Sequence, residues 1–67
     1  MEIIKLKKGV TYDIRRAGIH EYLPLIFQSV ELYPLIDSAV YCFRVSGDSH
    51  MVYMTHEKLA RYTIDEL

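Results

Sequence analysis

A single cysteine, Cys42, excludes any disulfide within the chain. A lone thiol fits a reducing compartment, where cysteine serves as a small buried hydrophobe. No apolar run approaches the ~20 residues that a membrane-spanning helix needs. At the N-terminus, MEIIKLKK, the charges follow the apolar residues, the reverse of a secretory signal. The C-terminal Asp65-Glu66-Leu67 has Ile64 where an ER-retention tail has lysine. These absences together make a cytoplasmic protein with no membrane attachment the expectation. Tryptophan is missing altogether. The three glycines, Gly9, Gly18 and Gly47, are isolated from one another, so no glycine-rich phosphate loop exists. Neither sign of charge dominates, since the net charge is −1.

With 67 residues the chain makes one small domain, residues 1–67. A domain of this size buries only about 60% of the surface its unfolded chain exposes. Its composition, 51% hydrophobic and 25% charged, is that of a globular protein rather than a disordered one. Charge is unevenly spread. Residues 1–18 carry five basic side chains against two acidic ones, a balance of +3; residues 19–67 carry three against seven, a balance of −4. Such asymmetry is a mark of contact surfaces.

Local patterns predict the order ββαββα. Glu2 to Arg16 reads as a hairpin around a Lys7-Lys8-Gly9 loop with Gly9 left-handed. That loop length puts Ile4, Leu6, Val10, Tyr12 and Ile14 on one face, leaving Lys5, Lys7, Thr11, Asp13 and Arg15 on a solvated face. Beyond Gly18, the residues Leu23, Ile26, Phe27, Val30 and Tyr33 recur at helical spacing. They predict a helix from about Glu21 to Tyr33, with Pro24 in its first turn and Pro34 stopping it. Ala39 to Thr55 is a second hairpin turning at Gly47-Asp48. Its register sets Val45, Phe43 and Tyr41 against His50, Val52 and Met54 on a core face. Thr55 then caps a short C-terminal helix through Leu59, Ala60 and Ile64. The expected class is α+β: a four-stranded antiparallel sheet, one main helix on a face and a short C-terminal helix.

Motifs for chemistry are weak. His20, His50, His56 and Cys42 lack metal-site spacing, and no cofactor is implied. Ser46, Asp48, Ser49 and His50 crowd one tight turn, where Ser, Gly and Asp belong for backbone reasons. A catalytic triad instead converges from separate elements. No enzyme is expected. The anomaly is the second face of the Ala39–Thr55 hairpin, where Val40, Cys42 and Arg44 lie against Met51, Tyr53 and Thr55. Alternation ordinarily gives one wet face, and this one is largely apolar. Val40, Cys42, Arg44, Met51 and Tyr53 are therefore the candidate interface with a protein partner or a second copy, unless the C-terminal helix covers them.

A different reading rests on Lys5, Lys7, Lys8, Arg15 and Arg16, candidate phosphate contacts for RNA or other nucleic acid. The plainer account is that lysines blunt an exposed sheet edge. The stretch Tyr41-Cys42-Phe43-Arg44-Val45, Asp48, Val52-Tyr53 and Glu57-Lys58, within residues 39–60, resembles the pre-PUA domain of ribosome-biogenesis proteins. The resemblance covers about a quarter of the chain, and the remaining residues contain no PUA domain. It implies docking to protein or RNA during ribosome assembly. Size alone also fits a phage or mobile-element protein that blocks a host factor. The sequence thus points first to a small interaction module acting through an apolar sheet face.

Overall fold

The structure, a computed structural model, describes residues 2–16 and 23–67. Its strands are β1 (Thr11–Arg16), β2 (Leu23–Tyr33), β3 (Ser38–Val45), β4 (Met51–Thr55) and β5 (Tyr62–Glu66). A 3-10 turn, Pro34–Ile36, joins β2 to β3, and a one-turn helix α1, His56–Leu59, joins β4 to β5. All five strands form one antiparallel sheet in the order β4-β3-β2-β1-β5.

The main helix expected over Glu21–Tyr33 is absent: residues 23–33 are the longest strand of the sheet. Glu21 and the break at Gly18 lie outside the described residues. The cause of the misreading is a β-bulge. Phe27 pairs with Phe43 and Ser29 with Cys42, so Gln28 is an extra residue on β2, its amide donating to the Ile26 carbonyl at 3.3 Å. A bulge shifts the inward phase by one. The core side of β2 thus reads Leu25, Phe27, Val30 and Leu32, a spacing of two, three and two that overlaps a helical stripe. Pro24 sits one rung past the Leu25–Val45 pair. Its carbonyl accepts from Ser46 N–H at 3.1 Å, and its missing N–H falls at the end of that ladder, where proline is tolerated.

The bulge also folds the sheet over itself. The first part of β2 pairs with β1 and the rest with β3. Following the registers, Thr55 stands level with Glu31, while Tyr62 stands level with a point two residues before Leu23. In a flat sheet those points would be roughly 33 Å apart along β2, besides the lateral offset of four strands at about 4.8 Å each. The connection through α1 reaches at most about 25 Å even fully extended. A bent β2 resolves the conflict by curling the sheet into a half-barrel.

The first expected hairpin is also corrected. Glu2–Leu6 is not a strand. It is an arm laid across the concave side, with Ile4 N–H donating to the Tyr41 hydroxyl at 3.0 Å and Lys7 N–H to the Tyr12 hydroxyl at 2.7 Å. Ile4, Leu6, Val10, Tyr12 and Ile14 do share the core side, and Gly9 is left-handed at φ 82°. Asp13, expected in solvent, is buried. The second hairpin keeps the expected register, Tyr41 opposite Met54 and Phe43 opposite Val52. Gly47 at φ 82° makes its turn, closed by Asp48 N–H on the Val45 carbonyl.

The concave side holds the core: Tyr12, Ile14, Leu25, Phe27, Ala39, Tyr41, Phe43, Met54 and Leu59. Phe27 and Phe43, directly opposed, meet edge to face with centroids 5.7 Å apart, worth about 0.5–1.5 kcal/mol beyond the area they bury. The C-terminal helix is only one turn long. Thr55 caps it as expected, its Oγ1 accepting from Lys58 N–H at 3.3 Å. Ile64, expected on that helix, lies on β5 instead, and pairing with β1 satisfies its backbone.

Candidate docking face

The position of α1 decides the status of the second face. Leu59 is wholly buried among the concave-side residues, and His56 Nδ1 lies 2.9 Å from the Tyr41 hydroxyl. Tyr41 and Val40 are neighbours on a strand and point to opposite sides. The helix therefore covers the face opposite the candidate interface. On the face away from the helix, Met51 and Tyr53 are exposed.

Register arranges this convex face in rows. Glu31, Val40 and Thr55 form one, Ser29, Cys42 and Tyr53 the next, and Ile26, Arg44 and Met51 the third. Tyr53 is 62% exposed and Met51 42%. Val40 and Arg44 are half-buried. Arg44 reaches along the hairpin, its Nη1 donating to the Asp48 carbonyl at 3.1 Å. Cys42 alone is closed off, 5% exposed. A sheet centre flanked on every side shields a small side chain, so Cys42 supports the face without offering a thiol to a partner.

Sequence reasoning missed a second apolar feature. Leu35 is fully exposed and Ile36 74% exposed at the tip of the β2–β3 connection, next to Tyr33 on the convex side. The mistaken helix hid them, because Pro34 was its stop signal rather than the start of a hairpin tip. The Tyr33 hydroxyl donates to Glu31 Oε2 at 2.7 Å. That bond, and the negative charge behind it, raise the Tyr33 pKa above its ordinary value.

The five basic residues of the nucleic-acid reading lie on two parts of the fold, the N-terminal arm with its turn and the end of β1. Lys5, Lys7 and Lys8 are exposed on the arm and its turn. Arg15 binds Asp65 at 2.8 Å and lies 3.7 Å from Asp13. Arg16 pairs with Tyr62 and borders a groove with Lys58 and Arg61, two residues that the sequence reading left out.

The turn cluster is a local network. Asp48 takes Ser49 N–H on Oδ1 at 2.6 Å and holds His50 Nδ1 on Oδ2 at 2.8 Å. These bonds, the His50 contact first, lower the Asp48 pKa below the ordinary carboxylate value. Both carboxylate and imidazole are exposed. Of the candidate metal ligands, His20 lies outside the described residues, and the described residues contain no group of three or more His, Cys, Asp or Glu placed to hold a metal ion. No described helix is long and apolar enough to cross a membrane. The segment resembling the pre-PUA domain comprises most of β3, its hairpin with β4, and α1. No protein-family model matches the chain, and neither curated proteins nor solved structures yield a match.

Proposed function

We propose that this protein is a non-enzymatic docking module of the cytoplasm that engages a protein partner or a second copy through the convex face of β3 and β4. One observation carries the reading: α1 packs on the concave side, leaving Val40, Met51 and Tyr53 uncovered among the described residues. Tyrosine and methionine are enriched at interface cores, where a large side chain buries area and its polar end stays wet. Arg44 beside them is a third residue type favoured there. The test places a photo-cross-linking phenylalanine analogue at position 53 and exposes the labelled chain to extract from its native host. A discrete adduct, with a partner or with the chain itself, is expected. Unlabelled wild type should compete it away and Val40→Lys should not. Absence of any adduct, or equal competition by Val40→Lys, sinks the reading. Lysine suits this control because it stands opposite Glu31 and adds no like-charge contact.

A second reading is RNA binding. It is favoured by the exposure of Lys5, Lys7 and Lys8 and by the grouping of Arg16, Lys58 and Arg61 beside Tyr62. Phosphate contacts of this kind give an affinity that falls steeply with salt. Titration against single-stranded RNA at low salt tests it. The reading fails if binding is absent, or if charge reversal at Lys7 and Lys8 and at Arg16 and Arg61 leaves it unchanged.

A further inference from the structure

The two edges of the sheet differ in a way that identifies an occupant for one of them. β5 carries Asp65 and Glu66, charges that resist pairing with a like strand. β4 reads Met-Val-Tyr-Met-Thr and has no charge, no proline and no bulge. Natural proteins ordinarily protect an edge with one of those devices. Among the described residues, β4 pairs with β3 alone.

Hydrogen-bond phase sharpens the point. Val45 N–H donates to the His50 carbonyl at 2.9 Å, so the Val45–His50 rung is of the bonded kind. Bonded and non-bonded rungs alternate in an antiparallel ladder. Val52 and Met54 therefore direct their backbone groups toward β3, while Met51, Tyr53 and Thr55 direct theirs away from the sheet. These three positions are symmetric about Tyr53.

We infer that β4 pairs antiparallel with β4 of a second copy, on a two-fold axis through Tyr53, to form one continuous ten-stranded sheet. This goes beyond the docking reading above: the pairing uses the backbone edge of β4 and leaves the convex face open, so a self-adduct at position 53 that Val40→Lys competes away equally would support the edge pairing and count against the face. The axis stands perpendicular to the sheet, so the convex faces of both copies lie on the same side. Tyr53 of one copy exchanges both backbone bonds with Tyr53 of the other, and Met51 faces Thr55. No charged residue enters the paired strands. The two patches of Val40, Met51 and Tyr53 merge into one surface. An edge pairing of five residues is smaller than a standard interface of roughly 1,600 Å², so the dimer is weak and concentration-dependent. An extended segment of another protein could add to the same edge by the same bonds, and the experiment separates the two.

Sedimentation of the wild type from about 10 µM to about 1 mM should show reversible dimerisation, the range being that of small, transient interfaces. On dilution, the amides of Met51, Tyr53 and Thr55 should shift, and those of Val52 and Met54 should not. Tyr53→Pro removes an outward N–H and no bond of the β3–β4 ladder, so it should give a folded monomer. Met51→Lys, which charges the edge and keeps the backbone intact, should also be monomeric, and it preserves the test if the proline variant unfolds. Val40→Lys, on the face and off the edge, should still dimerise. A wild type that stays monomeric throughout, or a dimer that survives Met51→Lys, overturns the edge pairing. If the wild type is monomeric but the position-53 adduct with another protein forms, the docking face stands and the second copy falls. A dimer abolished only by Val40→Lys would mean that copies stack face to face, which also overturns the edge pairing.

Discussion

Tyr41→Phe probes how the N-terminal arm is held. The Tyr41 ring is fully buried. Its hydroxyl accepts from Ile4 N–H at 3.0 Å and sits 2.9 Å from His56 Nδ1, linking arm, sheet and helix at one atom. Phenylalanine keeps the ring and its packing, so the change isolates the two hydrogen bonds. Leaving a buried donor or acceptor unsatisfied costs about 1–3 kcal/mol. Ile4 and His56 are each half-buried, so water can reach part of what is lost. A combined cost of about 1–2 kcal/mol follows, near the lower end of that range. For a domain of this size each kcal/mol shifts the melting temperature by roughly 4–8 °C, so a drop of roughly 4–16 °C is expected. Thermal unfolding by circular dichroism measures it, and hydrogen exchange at the Ile4 amide localises it. Exchange at Ile4 should accelerate more than exchange in β3. A melting temperature within roughly 2 °C of wild type, with Ile4 protection unchanged, would refute the latch, because the hydroxyl would then be contributing less than about 0.5 kcal/mol.

Two further perturbations follow from side chains of unusual environment. Asp13 is 8% exposed, its Oδ1 has no hydrogen-bond partner among the described residues, and it faces Asp65 across the β1–β5 ladder. Asp13→Val should raise the melting temperature by about 4–8 °C, the equivalent of about 1 kcal/mol, because it removes a buried carboxylate with one unbonded oxygen at the loss of only a 3.7 Å ion pair, while Arg15 keeps its 2.8 Å bond to Asp65; a lowered melting temperature would show that Asp13 stabilises the strand. Asp48 has a folded-state pKa below the ordinary carboxylate value of 3.8, held there first by His50. A depressed carboxylate contributes stability that is present above the unfolded pKa and is lost as pH falls through the folded one. The Asp48 network should therefore weaken below about pH 4. An NMR titration should place the Asp48 carboxyl below 3.8 in the wild type and nearer to 3.8 in His50→Ala. An equal value in both proteins would remove His50 as the cause.

The central hairpin was legible in the sequence because every signal for it is local. Gly47 supplies the left-handed turn, and two runs of period-two residues flank it with no interruption. The convex apolar face was legible for the same reason, since alternation alone sends Val40 and Tyr53 to the side opposite Tyr41 and Val52. Gly9 and the Thr55 cap are likewise local. β2 was not legible. Its bulge at Gln28 breaks the alternation that identifies a strand, and the stripe it leaves is one a helix also satisfies. The fate of Glu2–Leu6 was hidden differently: Ile4 and Leu6 must face the core whether the arm pairs with β1 or crosses the concave side, so periodicity fits both. The choice depends on the hydroxyls of Tyr12 and Tyr41, and Tyr41 is 37 residues from the amide that it receives.

Short-range chemistry by itself therefore determined the β3–β4 hairpin, its register, its turn and its two faces. Tertiary structure decided which of those faces is covered. Bending β2 at Gln28 closes the half-barrel, and the closure requires α1 to return across the concave side on its way to β5. The physical reason is reach: the six residues between β4 and β5 are too few to pass around the convex side. Among the described residues, Val40, Met51 and Tyr53 are left uncovered by the path of that connection, which depends on a bulge in a strand distant in sequence.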